Sequence, residues 1–277
     1  MGSQPGGPAV GAVVALKPAE RAKSRLGTLA DPLRRRLAWS MAVDTLSALS
    51  AAVDQLLVVS DQPALESRLR RLGLPVVVIA DPVAPGMNAA LAAGDQWLRD
   101  RGCAVVLASV GDLPALRPDS VRRVLAAAEP HPRSYLADHG GTGTTMLLAR
   151  GVALQPRFQG ASARAHAESG AVALSAAETG DVRDARHDVD TEDDLAAAVA
   201  LGLGPATSAL LDPDTARLGR YVTVTATAEP GVGRAVTEHG YRVDLPPAAL
   251  QDALRTVRAG QRLHAVTSGT RVLAAWL

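Results

Sequence analysis

Short apolar runs alternate with helical patterns through the first 200 residues, and then the pattern changes. The runs fall at residues 10–16, 55–60, 75–80, 104–110, 134–138, 144–149 and 171–175. Their Val, Leu and Ile content is nearly continuous and lacks polar alternation. That predicts strands buried on both faces, as in a parallel sheet. Between them, Asp31-Pro32 offers a helix cap and a proline at the first helical position, predicting a helix to about Ser50. Further helices are predicted at 62–72, 87–101, 118–128, 162–169 and 192–202. This order predicts a doubly wound, mostly parallel α/β domain.

Beyond Gly202, Gly204-Pro205 and Asp212-Pro213 punctuate an expected linker. Five short alternating runs follow, at 221–227, 233–237, 241–245, 261–266 and 271–277, with a helical insertion at 247–257. They predict a small all-β barrel of the OB or cold-shock type. The expected organisation is a leader at 1–8, an α/β domain at 9–203, a linker at 204–219 and a barrel at 220–277.

Composition narrows the function classes. The formal net charge of +1 argues against a general nucleic-acid or membrane partner. One cysteine, Cys103, excludes an intramolecular disulfide and a cysteine zinc cluster. No run spans a bilayer and the start lacks a signal-peptide core, so a cytoplasmic location is expected.

Lysine occurs only at 17 and 23, although the chain carries 29 Lys plus Arg. Lysine is a compact, mobile point charge suited to a phosphate in motion. Lys17 and Lys23-Ser24-Arg25 directly follow the first apolar run, which suits a loop binding a nucleoside triphosphate at the mouth of an α/β sheet. A solvated basic loop fits the residues equally. No G-x-x-x-x-G-K-[ST] motif occurs, so this is no P-loop.

Four further clusters carry candidate chemistry. Gly111-Asp112-Leu113-Pro114 ends a buried strand, where a carboxylate points into the ligand crevice and suits Mg²⁺; a turn-capping Asp is the alternative. In Asp138-His-Gly-Gly-Thr-Gly-Thr-Thr145, amides and hydroxyls suit an anionic oxygen, and an ordinary glycine hairpin also accounts for it. In Phe158-Gln-Gly-Ala-Ser162, Ser162 resembles a helix N-cap, with or without an anion, and His166 reads as a helix-face residue. Asp188 and Asp190 project to one side if extended, completing a metal site with Asp112. Thr191, Asp193 and Asp194 read as the acid-rich start of the next helix. Pro85-Gly-Met-Asn88 opens a helix at the same edge, within reach of a base or ribose.

Taken in order, these segments resemble the phosphoenolpyruvate or 2-phospho-L-lactate guanylyltransferases of coenzyme F(420) biosynthesis. The matching pieces are V-A-L-K-P…A-K-S-R-L from Val14 to Leu26, P-G-M-N-A-A-L from Pro85, and G-D-L-P from Gly111. G-T-G-T-T from Gly141, F-x-x-x-S-A-x-x-H from Phe158 and D-V-D-T-x-D-D-L from Asp188 continue the series. The resemblance implies a nucleotidyltransferase fold and GTP with a phosphorylated three-carbon acid as substrates. It implies Mg²⁺ on Asp112, Asp188 and Asp190, and a triphosphate held by Lys17, Lys23 and Arg25, with Leu16, Ser24, Asn88 and Gly111 around the nucleotide. Thr144, Thr145, Gln159, Gly160 and Ser162 would hold phosphoenolpyruvate. The chain departs from the family's F-G-P-G-S by placing Gln159 at its first glycine. The Arg-rich, Lys-poor composition leans toward phosphoenolpyruvate over 2-phospho-L-lactate or 3-phosphoglycerate. A molybdopterin or sugar-phosphate nucleotidyltransferase stays open, as does a regulatory nucleic-acid binder acting through the barrel. The barrel's sparse aromatics favour a structural, oligomerising or lid role instead, and a homodimer stays open.

Overall fold

The computed structural model describes residues 8–16, 31–62, 64–82, 86–211, 220–227, 233–237, 242–250, 257–268 and 271–276. The chain divides into two compact units, residues 1–21 with 41–204, and residues 22–40 with 205–277.

The first unit begins with β1 (Val10–Ala15), and helix α1 (Asp31–Ser50) enters it at residue 41. Next come β2 (Gln55–Val59), α2 (Leu65–Arg71), β3 (Val76–Ile79), α3 (Met87–Asp100), β4 (Val105–Ser109) and α4 (Pro118–Ala127). They are followed by β5 (Arg133–Ala137), β6 (Thr144–Arg150), α5 (Ser162–Glu168), β7 (Val172–Ala173), α6 (Ala176–Thr179), α7 (Arg183–Arg186) and α8 (Glu192–Leu201). The strands form one sheet in the order β3-β2-β1-β4-β6-β5-β7. Only β6 runs antiparallel to its neighbours, β4 and β5. The sheet is therefore mostly parallel, as the continuous apolar runs predicted.

Burial explains those runs. Every residue of β4 is buried, as are four of the five residues of β2. Val13, Leu57, Ala108, Leu91 and Leu98 share one core between the sheet and α3. Gly94 lies in mid-α3 with Val13 occupying the place a Cβ would take, so the helix sits flat on β1 only with glycine there. Cys103 joins this core, and burial pushes its thiol pKa up, as expected for an inert cysteine.

Some boundaries move. Helix α2 starts at Leu65 rather than 62, β7 keeps only two of its expected residues, and α6 and α7 were not anticipated. The acid-rich start of α8 is a capping box. The Thr191 hydroxyl accepts the Asp194 amide, and the Asp194 carboxylate accepts the Thr191 amide.

The second unit contains α9 (Pro205–Leu210), so the stretch expected as linker begins with a helix whose Thr207 and Leu210 are buried. Strands β8 (Arg220–Ala226), β9 (Arg234–Thr237), β10 (Arg242–Asp244), β11 (Arg262–Ser268) and β12 (Arg271–Trp276) close into a barrel in the order β10-β12-β11-β8-β9. Only β10 and β12 pair in parallel. Val224, Ala235, Val243, Leu263, Ala265, Val272 and Ala275 fill it. Small side chains on alternating positions suit so narrow an interior. Of the expected helical insertion, Pro247–Ala249 is a 3₁₀ turn, and residues 251–256 lie outside the described residues. Among the described residues, no helix is long and apolar enough to cross a membrane.

Candidate active site

Three segments converge at one edge of the large sheet, and the hydrogen bonds that hold them set the geometry of the site. At the carboxyl end of β1, the Leu16 amide donates to the Val59 carbonyl at 3.0 Å, and its carbonyl accepts the Ser60 hydroxyl at 2.6 Å. Gly111 lies just past β4, where a Cβ would meet Leu16 Cδ2 at 2.8 Å. The ends of β1 and β4 thus touch at the position where open α/β sheets bind ligands. Lys17, Lys23, Ser24 and Arg25, expected beside Leu16, lie outside the described residues.

Asp112 follows Gly111 and is half-buried. Its loop is anchored from below, because the Leu113 amide donates at 2.9 Å to Thr45 Oγ1, a fully buried hydroxyl that itself donates to the Met41 carbonyl. From the far end of the unit, the Val189 amide donates to the Asp112 carbonyl at 3.1 Å. That single bond sets the Asp188–Asp190 segment against the Asp112 loop. Val189 is buried while Asp188 and Asp190 are half-buried, as alternation along an extended run requires. That backbone bond brings the two segments together, but the carboxylates of Asp112, Asp188 and Asp190 do not themselves form a cluster with ligand atoms within 4.8 Å of one another among the described residues. Carboxylates are hard oxygen donors of the kind that suit Mg²⁺ or Mn²⁺.

The next segment begins one strand over. The Val110 amide donates to the Thr145 carbonyl at 3.0 Å, so the Asp112 loop emerges beside the start of β6. The glycine-rich turn before β6 differs from expectation in one respect. Its amides are spent on Asp138, whose carboxylate accepts the Thr142 amide at 3.0 Å and the Gly143 amide at 2.8 Å. The Gly141 amide donates to the Asp138 carbonyl as well. These amides are therefore committed to shaping the turn. The Thr145 hydroxyl donates back to the Leu136 carbonyl at 3.4 Å inside the sheet.

Thr144 is held differently. His166 Nδ1 lies 3.0 Å from Thr144 Oγ1, and the Arg157 amide donates to His166 Nε2 at 2.9 Å. An amide N–H only donates, so Nε2 carries the lone pair and Nδ1 the proton. Thr144 consequently accepts from the imidazole and keeps its own O–H to donate. His166 is fully buried, with the Phe158 ring edge-on at 5.1 Å. Burial, then Arg133 and Arg157, lower its pKa from 6.5 to about 4, so the ring is neutral at neutral pH. His166 thus lies on a face of α5, as expected, but on the buried face, where it supports Thr144.

The reading of Ser162 is corrected. The N-cap of α5 is Ala161, and Ser162 is the first helical residue, buried, with no cap bond from the Ala161 side chain. Gln159 and Gly160 take left-handed backbones, φ 97° and 58°, and both are exposed. Such a conformation strains a residue with a Cβ. Glycine takes that backbone freely, so Gln159 holds under strain a conformation that suits the glycine of the family's pattern. The loop is fastened at both ends. The Ala163 amide donates to the Thr142 carbonyl at 3.1 Å. Asn88 grips Phe158 through both halves of its amide, donating to the carbonyl at 3.0 Å and accepting the backbone N–H at 2.7 Å. Asn88 therefore serves as a clamp on this loop.

Thr45 and Arg133 are supporting residues that motif reading missed, and the supporting roles of Asp138 and His166 were not read from their motifs. Arg133 is buried and spreads its guanidinium over the carbonyls of Leu154 and Ser169. Of the four, only Thr45 is a polar residue within an apolar run, a signal that many residues without such a role share.

A mostly parallel sheet, one antiparallel strand and acidic loops at the carboxyl edge define a nucleotidyltransferase. A profile of the MobA-like NTP transferase domain matches residues 24–182. A phosphoenolpyruvate guanylyltransferase of Mycolicibacterium gilvum is 44% identical over 206 residues, 72% of this chain and 93% of that protein. One from Streptomyces scabiei is 47% identical over 204 residues, covering 71% and 93%. The chain belongs to the phosphoenolpyruvate guanylyltransferase family. Among solved structures, a nucleotidyl transferase from Methanothermobacter thermautotroptrophicus is similar over 70% of this chain and 98% of its own, with 23% identity and a TM-score of 0.47.

Proposed function

We propose that this protein joins the guanylyl group of GTP to phosphoenolpyruvate and releases pyrophosphate, a cytoplasmic step in making coenzyme F(420). The observation that supports the reading is the Val189–Asp112 backbone bond, which sets the segment carrying Asp188 and Asp190 against the loop carrying Asp112. Those carboxylates would hold Mg²⁺, which when bound neutralises phosphate charge. Lys17, Lys23 and Arg25 would hold the triphosphate next to Leu16, Ser24, Asn88 and Gly111. Thr144, with its donor O–H, and Thr145, Gln159, Gly160 and Ser162 would hold the acceptor acid.

In the step itself, an oxygen of the acceptor phosphate attacks the α-phosphorus of GTP. The bond to the bridging oxygen breaks in line, and pyrophosphate leaves with the electron pair. The acceptor phosphate is already an anion, so no side chain need remove a proton. What the protein supplies is proximity between two polyanions and fixed donors at the developing charge.

The strand order β10-β12-β11-β8-β9, with its single parallel pair, supports an OB-type barrel at 220–277, in addition to the catalytic domain at 9–203. The test is product identification by mass, with GTP and Mg²⁺ against phosphoenolpyruvate, 2-phospho-L-lactate and 3-phosphoglycerate in competition. The enolpyruvyl-diphospho-guanosine product should dominate. Preference for another acid would reassign the acceptor, and no pyrophosphate with any of the three would overturn the reading.

A further inference from the structure

Alternation along residues 187–190 divides two kinds of ligand. Asp188 and Asp190 belong to the carboxylate set described above, while His187 and Val189 are the buried members of the run. His187 there meets His139, from the turn after β5, with ring centroids 4.5 Å apart. Asp194, from the first turn of α8, completes the group. One ring nitrogen of each histidine and one Asp194 carboxylate oxygen lie within 4.8 Å of one another. The separation between His139 Nε2 and Asp194 Oδ1 is 3.9 Å.

Hydrogen bonds orient the Asp194 carboxylate and the His187 ring, and a backbone bond positions the turn that carries His139. Asp194 Oδ2 accepts the Thr191 hydroxyl and amide, both at 2.8 Å, and the Asp190 amide at 3.1 Å. That fixes the carboxylate with Oδ1 toward His139. His187 Nε2 lies 3.0 Å from the Asp194 carbonyl. A carbonyl only accepts, so Nε2 carries the proton and the Nδ1 lone pair is left for a ligand. The His139 amide donates to the Arg186 carbonyl at 2.7 Å. Outer bonds of this kind, an imidazole N–H on a backbone carbonyl above all, accompany histidines that ligate metals.

We propose that His139, His187 and Asp194 form a second cation site that binds a borderline divalent ion, Zn²⁺ in the first instance. Two imidazoles, a carboxylate and one water make an ordinary four-coordinate zinc set. Imidazole disfavours Mg²⁺, so this site and the carboxylate site select different ions. Tetrahedral zinc with bonds of about 2.0–2.1 Å spaces its ligand atoms about 3.4 Å apart. The 3.9 Å separation closes to that value by a small rotation of His139, whose side chain is half-exposed. His139 and His187 also border a cavity of about 840 Å³ shared with Arg117, Arg123 and Arg186. Solvent therefore supplies both the ion and the water. Bound zinc would tie the glycine-rich turn before Thr144 to the segment carrying Asp188 and Asp190. The site stands on these contacts and not on the transferase reading.

The test uses the full chain, stripped of metal and titrated with Zn²⁺ against a chromophoric chelator in excess Mg²⁺. Cobalt substitution reports the ligands through its visible absorption. The wild type should take up one Zn²⁺ and gain thermal stability from it. His139→Ala should bind more than about tenfold more weakly, with the unfolding midpoint of the metal-free protein unchanged, and His187→Gln should do the same. Asp112→Asn should keep the zinc site. No zinc uptake in excess Mg²⁺ would overturn the proposal, as would wild-type affinity in His139→Ala or loss of the site in Asp112→Asn alone.

Discussion

His166 Nδ1 donates to Thr144 Oγ1 across 3.0 Å, and the Arg157 amide pinned on Nε2 allows no other tautomer. A buried neutral imidazole thus decides which way a threonine hydroxyl can donate. In the proposed reaction, that hydroxyl meets the acceptor acid.

His166→Asn keeps a donor near the Nδ1 position, whereas His166→Leu removes it. The KM for the acceptor acid should rise in the leucine variant by roughly tenfold, matching a lost hydrogen bond of about 1.5 kcal/mol. The KM for GTP should hardly move, and asparagine should restore much of the loss. Steady-state kinetics varying each substrate separately would check the split.

The same residue makes stability depend on pH. Its pKa falls from 6.5 to about 4 on folding, so the unfolded chain takes up the proton first. The contribution is complete above about pH 6.5 and is lost as pH falls toward 4, about 3 kcal/mol in all. Denaturant unfolding at several pH values should show this slope, and His166→Leu should flatten it.

Asp112→Asn should lower turnover by roughly 10³-fold and leave the unfolding midpoint near that of the wild type. Pyrophosphate release and thermal melting on one preparation give both numbers. Retained turnover at ordinary Mg²⁺ would remove Asp112 from the metal set.

Thr45→Val is nearly isosteric but leaves the Leu113 amide without its acceptor inside the core. A loss of about 1–3 kcal/mol in stability is expected, with turnover falling as the Asp112 loop loosens. Urea unfolding alongside kinetics would measure both effects.

Gln159→Gly should relieve the left-handed strain at φ 97° and raise stability by about 1 kcal/mol. Equal or lower stability in a thermal melt would argue that the glutamine side chain makes up for its backbone.

Candidates for the site are legible in the chain before any coordinates. Asp112 stands at the end of a strand with no polar residue before Ser109, and Asp188 and Asp190 stand two apart, so position alone marks them as candidates. The turn at 138–145 was legible only as a turn. Whether its amides were free for a ligand depended on the side-chain rotamer of Asp138, which no pattern records. Asn88 was placed correctly at the sheet edge, yet its partner is Phe158, seventy residues on. Ser162 was read as a cap because serine favours caps, and the backbone put Ala161 there instead.

The sequence by itself determined the strands, the mostly parallel sheet, the second small unit and the family, because periodicity and motif order are local properties. Tertiary structure alone decided which polar groups meet. Val189 reaches Asp112 across 77 positions, His166 reaches Thr144 across 22, and His139 reaches His187 across 48. Such pairings arise when separate strand ends are brought to one edge by burial of their apolar faces, and burial carries no instruction about polar partners. The geometry of the packed sheet supplies it.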